Sequence, residues 1–590
     1  MASRPSLHQS LYRALQSVPT EKASPRTFEL MTLCTKPFRT YTLFPHALDP
    51  RISITRTDYL IMLAEKFEDY RTPSPTSPPP QVIVPVFALE ASLYTIPTTS
   101  VQLLYISKID TTGLAPLPAP AGQLTIAFLT HFLQHMPKSI HSLRIHIFAR
   151  AAREGQYLFP ASAENGPNGN GDGAKFASKN DSTQDSVTAL PYKRPAGKRI
   201  LDDQQLVKWW HKILSQLTIG YHQLTTSKNP LECFYILPGF DHEESLEVLP
   251  LSSECKALWN YGHPYHKIAS PFAPTNHHSQ TSNIHPGADR PRGYLLSDLI
   301  PAFNDDPKAR FLHSIGDCST TPSGEPGDWD DAIVERSSAA LESDRNRERT
   351  KINQVSPDEF WDRMGGRQEC CDGRVSAFFV VALTRSNPIP TSGPPSSVHT
   401  QPTKNASADI ASHQADSQSV SSNLDNGIKP VKLTDSDEAQ KKIVGVPRNV
   451  WVSLWSKIHN KDYGTLENLT TAYTGWIDDV KSSINSAVLE DNLKKKRKLE
   501  EKGTNLKQDK VNGGCEPNAD KHDKPVEERP QSSSSHFEDC YSVILVDNSL
   551  MNHVNPTESG SNGPKSSGPS SNQQKRTQVN VLQPRKKPKK

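Results

Sequence analysis

The sequence predicts a mixed α/β protein, one large domain interrupted by polar insertions. Three observations lead there. Apolar runs of β type recur between residues 82 and 149 and return at 376–383. Stripes of apolar residues at helical spacing alternate with them, most clearly at 202–217. The 590 residues are only 35% hydrophobic, with 49 prolines and a mean hydropathy of −0.60, so much of the chain is too polar to be packed core. Length alone allows two to four average domains; this composition reduces them to one core with polar segments set into it.

The elements follow in order. Leu7, Leu11, Leu15 and Val18 share one stripe, so residues 1–30 read as a short amphipathic segment. Residues 72–81 (TPSPTSPPPQ) make a proline-rich linker. Three β-like runs follow at 82–89, 91–95 and 103–109, the last entering a turn at Asp110-Thr111-Thr112-Gly113. Leu124, Phe128, Leu129, Phe132 and Leu133 predict a helix over 123–136, and 144–149 (RIHIFA) a further strand. The best helix signal has Asp202 or Asp203 as its cap and Leu206, Trp209, Trp210, Ile213, Leu214 and Leu217 as its apolar stripe. A charged helical stretch covers 331–351. Ser356-Pro357-Asp358-Glu359 then opens another helix: a serine cap, proline at the first position and glutamate three residues on. Residues 376–383 (SAFFVVAL) form a strand, and 443–484 return to helix with Trp451, Leu454, Trp455, Ile458, Tyr473 and Trp476.

Two stretches, 161–197 and 386–440, are rich in small polar residues and read as disordered insertions in a domain spanning 1–484. Residues 485–590 read as a disordered basic tail, with 19 Lys+Arg against 14 Asp+Glu; the net charge of +3 belongs to it. Eight cysteines, widely scattered apart from the adjacent Cys370 and Cys371 and without a CxxC pair, and the lack of a signal-peptide pattern, point to reduced thiols inside the cell. No run of 18 apolar residues exists, which excludes a membrane-spanning helix of that kind.

The chemically densest stretch is Asp305-Asp306-Pro307-Lys308-Ala309-Arg310-Phe311. Adjacent carboxylates raise each other's pKa, and Lys308 and Arg310 are placed to offset that. Taken alone it reads as a helix start, an aspartate before a first-turn proline with a salt bridge to follow.

Together with its companions the stretch says more. SKIDTTG (107–113), QYLFP (156–160), KRILDDQQLVKWW (198–210), DDPKARF (305–311) and Phe360-Trp361 followed by Arg367-Gln368-Glu369 occur in an order that resembles the fungal Rtt-type acetyltransferases of the histone H3 core, structurally akin to CBP-type enzymes. The resemblance covers residues 1–484 apart from the insertions, and the basic end at 581–587 is similar to the family's terminus. It implies a central mixed sheet surrounded by helices, with acetyl-CoA crossing one edge as cosubstrate and no metal. It implies Asp306 as the proton acceptor with Asp305 beside it, Trp210 as the wall of the substrate-lysine tunnel and Trp209 packed on the cofactor. Lys308 matches the lysine that becomes self-acetylated. Ile109, Asp110 and Thr111, then Phe148 and Ala152, then Arg199, Ile200 and Leu201 match cofactor-binding segments. The loop 118–122 (PAPAG) departs from the family, which carries two arginines there for phosphate; Lys198, Arg199 or Lys193 are the substitutes at hand.

The resemblance further implies a nuclear enzyme acetylating newly made H3 at its core lysine fifty-six and some tail lysines, in replication-coupled chromatin assembly, genome stability and the DNA-damage response. Histone chaperones would present H3–H4. The basic runs at 494–498 and 585–590 read as import signals or as contacts to DNA or chaperones. His263, His266, His277, His278 and His285 cluster, but with irregular spacing and no cysteine pair, so they do not read as a zinc site. The competing reading is a non-catalytic chromatin adaptor that retains the fold; the joint presence of Asp305, Asp306, Trp210 and Lys308 weighs for the enzyme.

Overall fold

The structure is a computed structural model. It describes residues 4–18, 25–47, 54–69, 79–151, 157–159, 198, 200–224, 229, 231–250, 253–266, 295–304, 306–316, 339–367, 375–385, 445–460, 466–508 and 537–546. The strands are β1 (Arg26–Cys34), β2 (Phe38–Thr40), β3 (Ile54–Glu68), β4 (Gln81–Ile96), β5 (Val101–Thr111), β6 (Ser142–Ala149), β7 (Leu231–Ile236), β8 (Trp259–Tyr261), β9 (Ala377–Thr384) and β10 (Tyr541–Val546). The helices among the described residues are α1 (Leu7–Gln16), α2 (Ala121–Gln134), α3 (Asp203–Leu224), α4 (His242–Val248), α5 (Ser253–Leu258), α6 (Leu296–Leu299), α7 (Pro307–Gly316), α8 (Ala339–Asn353), α9 (Pro357–Gly365), α10 (Arg448–His459) and α11 (Leu466–Gln508). No helix among them is long and apolar enough to cross a membrane.

All ten strands join one mixed sheet in the order β10-β1-β3-β4-β5-β6-β9-β7-β8, with β2 beside β3. Its pairs are antiparallel except β5–β6, joined through α2, and β7–β8, joined through α4 and α5. Parallel neighbours need such crossovers, and a helix is the usual one. Both faces of the sheet are covered, and the alternation of strand side chains divides the core accordingly. Leu104 and Ile106 of β5, Ile145 and Ile147 of β6, and Phe379 and Val381 of β9 pack with Phe128, Leu214 and Trp476 from α2, α3 and α11. Leu103 and Tyr105 point the other way, to Phe303 and Phe44. Phe378 and Phe148 share that second face with Phe311, Phe360 and Trp361 from α7 and α9. The sheet thus separates two helical layers, as a mixed α/β architecture requires.

Local chemistry explains the element ends. Ser6 and Gln9 form a reciprocal capping box on α1. Ser356 caps α9 by accepting the Glu359 N–H, with Pro357 inside the first turn, as its sequence predicts. The far end of α9 touches the turn after β7 so closely that a Cβ on Gly365 would lie 2.5 Å from the Gly239 nitrogen, so glycine is required at that crossing.

Two expectations change. The runs at 82–89 and 91–95 are one strand: Glu90 continues it at a bulge against β5, and a second bulge, at Val86 of β4 itself, adjoins Pro85, which has no N–H for the ladder. Nor does the fold end at 484. Helix α11 continues to Gln508, and β10 closes the sheet edge on β1, with Arg26 paired to Val546 and Met31 to Tyr541. The compact unit therefore runs to Asp547. The reason lies in YSVILV: Ile544 and Val546 are buried while Val543 and Leu545 stay exposed, a half-buried strand inside an otherwise polar tail. His8 fastens it, with Nδ1 3.1 Å from the Thr32 hydroxyl and Nε2 2.7 Å from the Ser542 hydroxyl.

Candidate active site

A cleft opens where two central strands part. β5 and β6 pair from Val101–Ser142 to Ile106–Ile147 and then separate. Beyond that point β5 continues beside β4 alone, through Lys108, Ile109, Asp110 and Thr111, while β6 continues beside β9. The β6-facing edge of residues 107–111 thus leaves its ladder in the middle of the sheet, with backbone groups turned toward the gap. The resulting cavity is about 380 Å³, in the range of small-molecule sites. Its walls are the end of β5, Ala121 at the start of α2, Phe148, Arg150 and Ala151 from the end of β6, Tyr157, Leu158, Lys198, Ile200, Leu201 and the first turns of α3.

Asp110 ties these walls together. Its carboxylate accepts the Thr111 N–H at 2.8 Å and the Phe159 N–H at 2.9 Å. It also holds the Lys198 ammonium at 2.7 and 2.8 Å, and Lys198 donates in turn to the Phe159 carbonyl at 3.2 Å and lies 4.3 Å from the Tyr157 ring centroid. Both charged groups are buried. Burial pulls the carboxyl up and the ammonium down, and each opposes that pull on the other by its charge.

Helix α3 supplies the aromatic wall. Asp202 caps it by accepting the Gln205 N–H at 2.7 Å, while Asp203 accepts the Ala151 N–H at 2.9 Å and so fixes the end of β6 to the helix. About two turns on, Trp209 and Trp210 both line the cleft, their rings 5.0 Å apart and edge to face. Trp210 is buried in the core as well.

Asp306 and Lys308 lie on the other face of the sheet. Asp306 accepts the Lys308 N–H at 2.9 Å ahead of Pro307, the first residue of α7, and its carboxylate is ion-paired with the Lys308 ammonium. This is the helix start that the local pattern predicts. The pair is buried, with the Lys308 ammonium 4.4 Å from the Phe378 ring centroid. Lys308 borders a cavity of about 20 Å³ with Tyr105, His146, Tyr265, Trp361 and Phe378. Phe378 stacks on Phe148, which lines the cleft, so one aromatic layer stands between cleft and ion pair.

The structure therefore gathers Ile109, Asp110, Thr111, Phe148, Ile200, Leu201, Trp209 and Trp210 around one cavity. Asp306 and Lys308 are not among its lining residues, and Asp305, Ala152 and Arg199 lie outside the described residues. Lys198 is not offered to phosphate but bound to Asp110. Arg150 and Lys108, which sequence reasoning missed as lining residues, bring the further cations. The only signal for either was proximity to a strand end. His263 is held by Asp358 at 2.8 Å, and no group of three or more His, Cys, Asp or Glu among the described residues is placed to hold a metal.

Comparison with known proteins places this geometry. The family model described as "Histone acetyltransferase KAT11-type domain" matches residues 121–479, more than half of the chain. The chain is 25% identical over 327 residues to histone acetyltransferase rtt109 of Aspergillus flavus, covering 52% of this chain and 45% of that protein. It is 22% identical over 299 residues to histone acetyltransferase rtt109 of Schizosaccharomyces pombe, covering 50% and 56%. It thus spans about half the length of these relatives. The crystal structure of Rtt109 from Aspergillus fumigatus superposes with a TM-score of 0.48 at 19% identity, over 81% of this chain and 96% of that one. With its cleft, its tryptophan-bearing helix and the match across 121–479, the chain belongs to the KAT11-type histone acetyltransferase domain family, alongside the fungal Rtt-type proteins.

Proposed function

We propose that this chain transfers acetyl from acetyl-CoA to lysines of newly made histone H3, the core lysine fifty-six first among them, before H3–H4 is assembled into chromatin. The observation that carries the reading is the cleft at the β5–β6 parting. An extended amide-bearing arm fits an open strand edge, which can pair with its amides as a neighbouring strand would. Phe148, Leu158, Leu201, Leu206 and Trp209 provide an apolar wall, and Lys108 and Arg150 provide cations for phosphate at the same cleft. The first turn of α2 carries no acidic residue, which suits anionic groups beside Ala121.

Acetyl-CoA supplies the activated acyl group; the protein must supply a neutral amine. A free lysine with a pKa of about 10.4 is neutral roughly once in a thousand near pH 7.4, so the site must contribute about 4 kcal/mol. Trp209 and Trp210 exclude water from the acceptor, which favours its neutral form. Asp306, with Asp305 beside it, is the proton acceptor in this reading. Its carboxylate is engaged by Lys308, and acetylation of Lys308 removes that positive charge and releases the carboxylate from the ion pair. For Asp306 to serve an acceptor in the cleft, the Phe148–Phe378 stack must open.

The enzyme would work in the nucleus, with the basic runs at 494–498 and 585–590 as import signals or DNA contacts and histone chaperones presenting H3–H4. The test is acetyl transfer to H3–H4, with and without chaperone, followed by mass spectrometry of the histone. Transfer by the unaltered chain is expected, with transfer lost or strongly reduced in Trp210→Phe, which keeps a ring in the core and a thermal transition near the parent's. A folded protein that binds H3–H4 and transfers nothing would instead be the non-catalytic adaptor.

A further inference from the structure

The proposed reaction runs through Asp306 and an incoming lysine, yet the amine most fully built into the cleft belongs to the protein. Lys198 is only 4% exposed and lines the cavity, with its amine held against Asp110, which lines the same cavity. Asp110, a proton acceptor, already touches it at 2.7 Å. The other lysines differ. Lys308 is paired behind the Phe148–Phe378 layer, and Lys108 lines the cleft with its amine 5.2 Å from the Trp455 ring centroid. An acyl acceptor needs a proton acceptor within hydrogen-bond reach and a place at the wall of the acyl donor's site, and Lys198 has both.

We infer that Lys198 is an internal acyl acceptor, acetylated in cis from acetyl-CoA bound in the cleft. This rests on the acetyl-CoA reading above. The Lys198 ammonium gives one proton to the Asp110 carboxylate, and its nitrogen attacks the thioester carbonyl. The carbon–nitrogen bond forms, the carbon–sulfur bond breaks, and the second amine proton goes to the departing thiolate, leaving an acetamide, free CoA thiol and a protonated Asp110. Burial supports both ends of that transfer, since it lowers the proton affinity of the amine and raises that of the carboxyl. The product amide keeps one N–H for Asp110 and loses the other donors that reached Phe159. Acetylation would therefore loosen the Tyr157–Phe159 wall of the cavity.

The full chain, freed of prior acetylation with a deacetylase, is incubated with acetyl-CoA and then mapped by peptide mass spectrometry. The peptide bearing Lys198 should gain one acetyl group at a rate independent of protein concentration. That gain should persist in Lys308→Arg and vanish in Lys198→Arg, which keeps a cation for Asp110. Acetylated H3 or Lys308 with Lys198 unmodified would overturn the inference and leave the acetyltransferase reading standing. A rate rising with protein concentration would overturn the cis route. Transfer to no lysine at all, histone or internal, would overturn both.

Discussion

Phe148 and Phe378 stack with ring centroids 4.6 Å apart and planes 22° from parallel, the open cleft on one side and the Asp306–Lys308 ion pair on the other. The two rings sit on adjacent paired strands, β6 and β9, at directly opposed positions, so the layer is set by sheet register and not by a mobile loop. If Asp306 serves the cleft, this layer is its gate. Phe148→Leu, which keeps an apolar filler, should leave the thermal transition within a few degrees of the parent and change the rate of acetyl transfer by more than threefold. Phe378→Ala should cost about 3 kcal/mol of stability, because a buried ring is removed from a closely packed site. Urea unfolding and initial rates measure the two effects separately.

The ion pair itself makes a prediction about stability. Removing one partner of a buried pair leaves the other charge uncompensated and costs about 3–5 kcal/mol, whereas replacing both with neutral groups is often close to neutral. Asp306→Asn keeps an acceptor for the Lys308 N–H but removes the buried negative charge that faces the ammonium. We expect Asp306→Asn to be destabilised by about 3 kcal/mol and Asp306→Asn with Lys308→Met to recover most of that. A double-mutant cycle in urea checks it, and a coupling below about 0.5 kcal/mol would show that the pair is not closed in solution.

Acid should weaken the fold in a definite window. Burial lowers His8 and His211 to about 4 and His131 to about 3. A histidine in the unfolded chain titrates near 6.5, so between that value and the folded one the unfolded state binds more protons and stability rises with pH. Their contribution is complete above about pH 6.5 and is lost progressively as pH falls toward 4. Thermal transitions between pH 7.5 and 4.5 should fall steadily. His8→Asn should lose part of that slope, and protease cleavage between 509 and 546 should increase first, because His8 holds β10.

Truncation separates two readings of the C-terminal part. A chain ending at 546 should fold and remain soluble, since every described element is retained. A chain ending at 484 loses β10 and uncovers the edge of β1, an apolar strand with Phe28 and Leu30 buried, and should aggregate. Light scattering of the two purified proteins decides it.

Much of this was legible in the sequence where one signal dominated. The α3 stripe, the Ser356 cap and the strand at 376–383 stand where their patterns put them, because α3 and the Ser356 helix carry helical signals of their own and the strand, buried on both faces, reads as one continuous apolar run. The cleft-lining residues from 109–111, Phe148 and 200–210 were named through the family resemblance, and they converge. β1 and β10 went unread: YSVILV has strand character but stands alone in a polar tail, and the strand it pairs with lies at the other end of the chain. The Asp110–Lys198 bond was missed for a similar reason: it joins residues 88 positions apart, and nothing local marks either as a partner. Asp306 was placed on the correct helix start, but which face of the sheet it occupies depends on register, which no short window contains.

The pairing of β1 with β10 also governs how the molecule is made. β1 leaves the ribosome within the first few dozen residues, and its outer neighbour is complete only at Val546. At about 5–20 residues per second the interval is roughly 25 to 100 seconds. Throughout that time the nascent protein carries a finished hydrophobic strand with one side open, so its yield in a living cell should depend on translation speed and on holding factors at the ribosome exit more than on the strength of the finished fold.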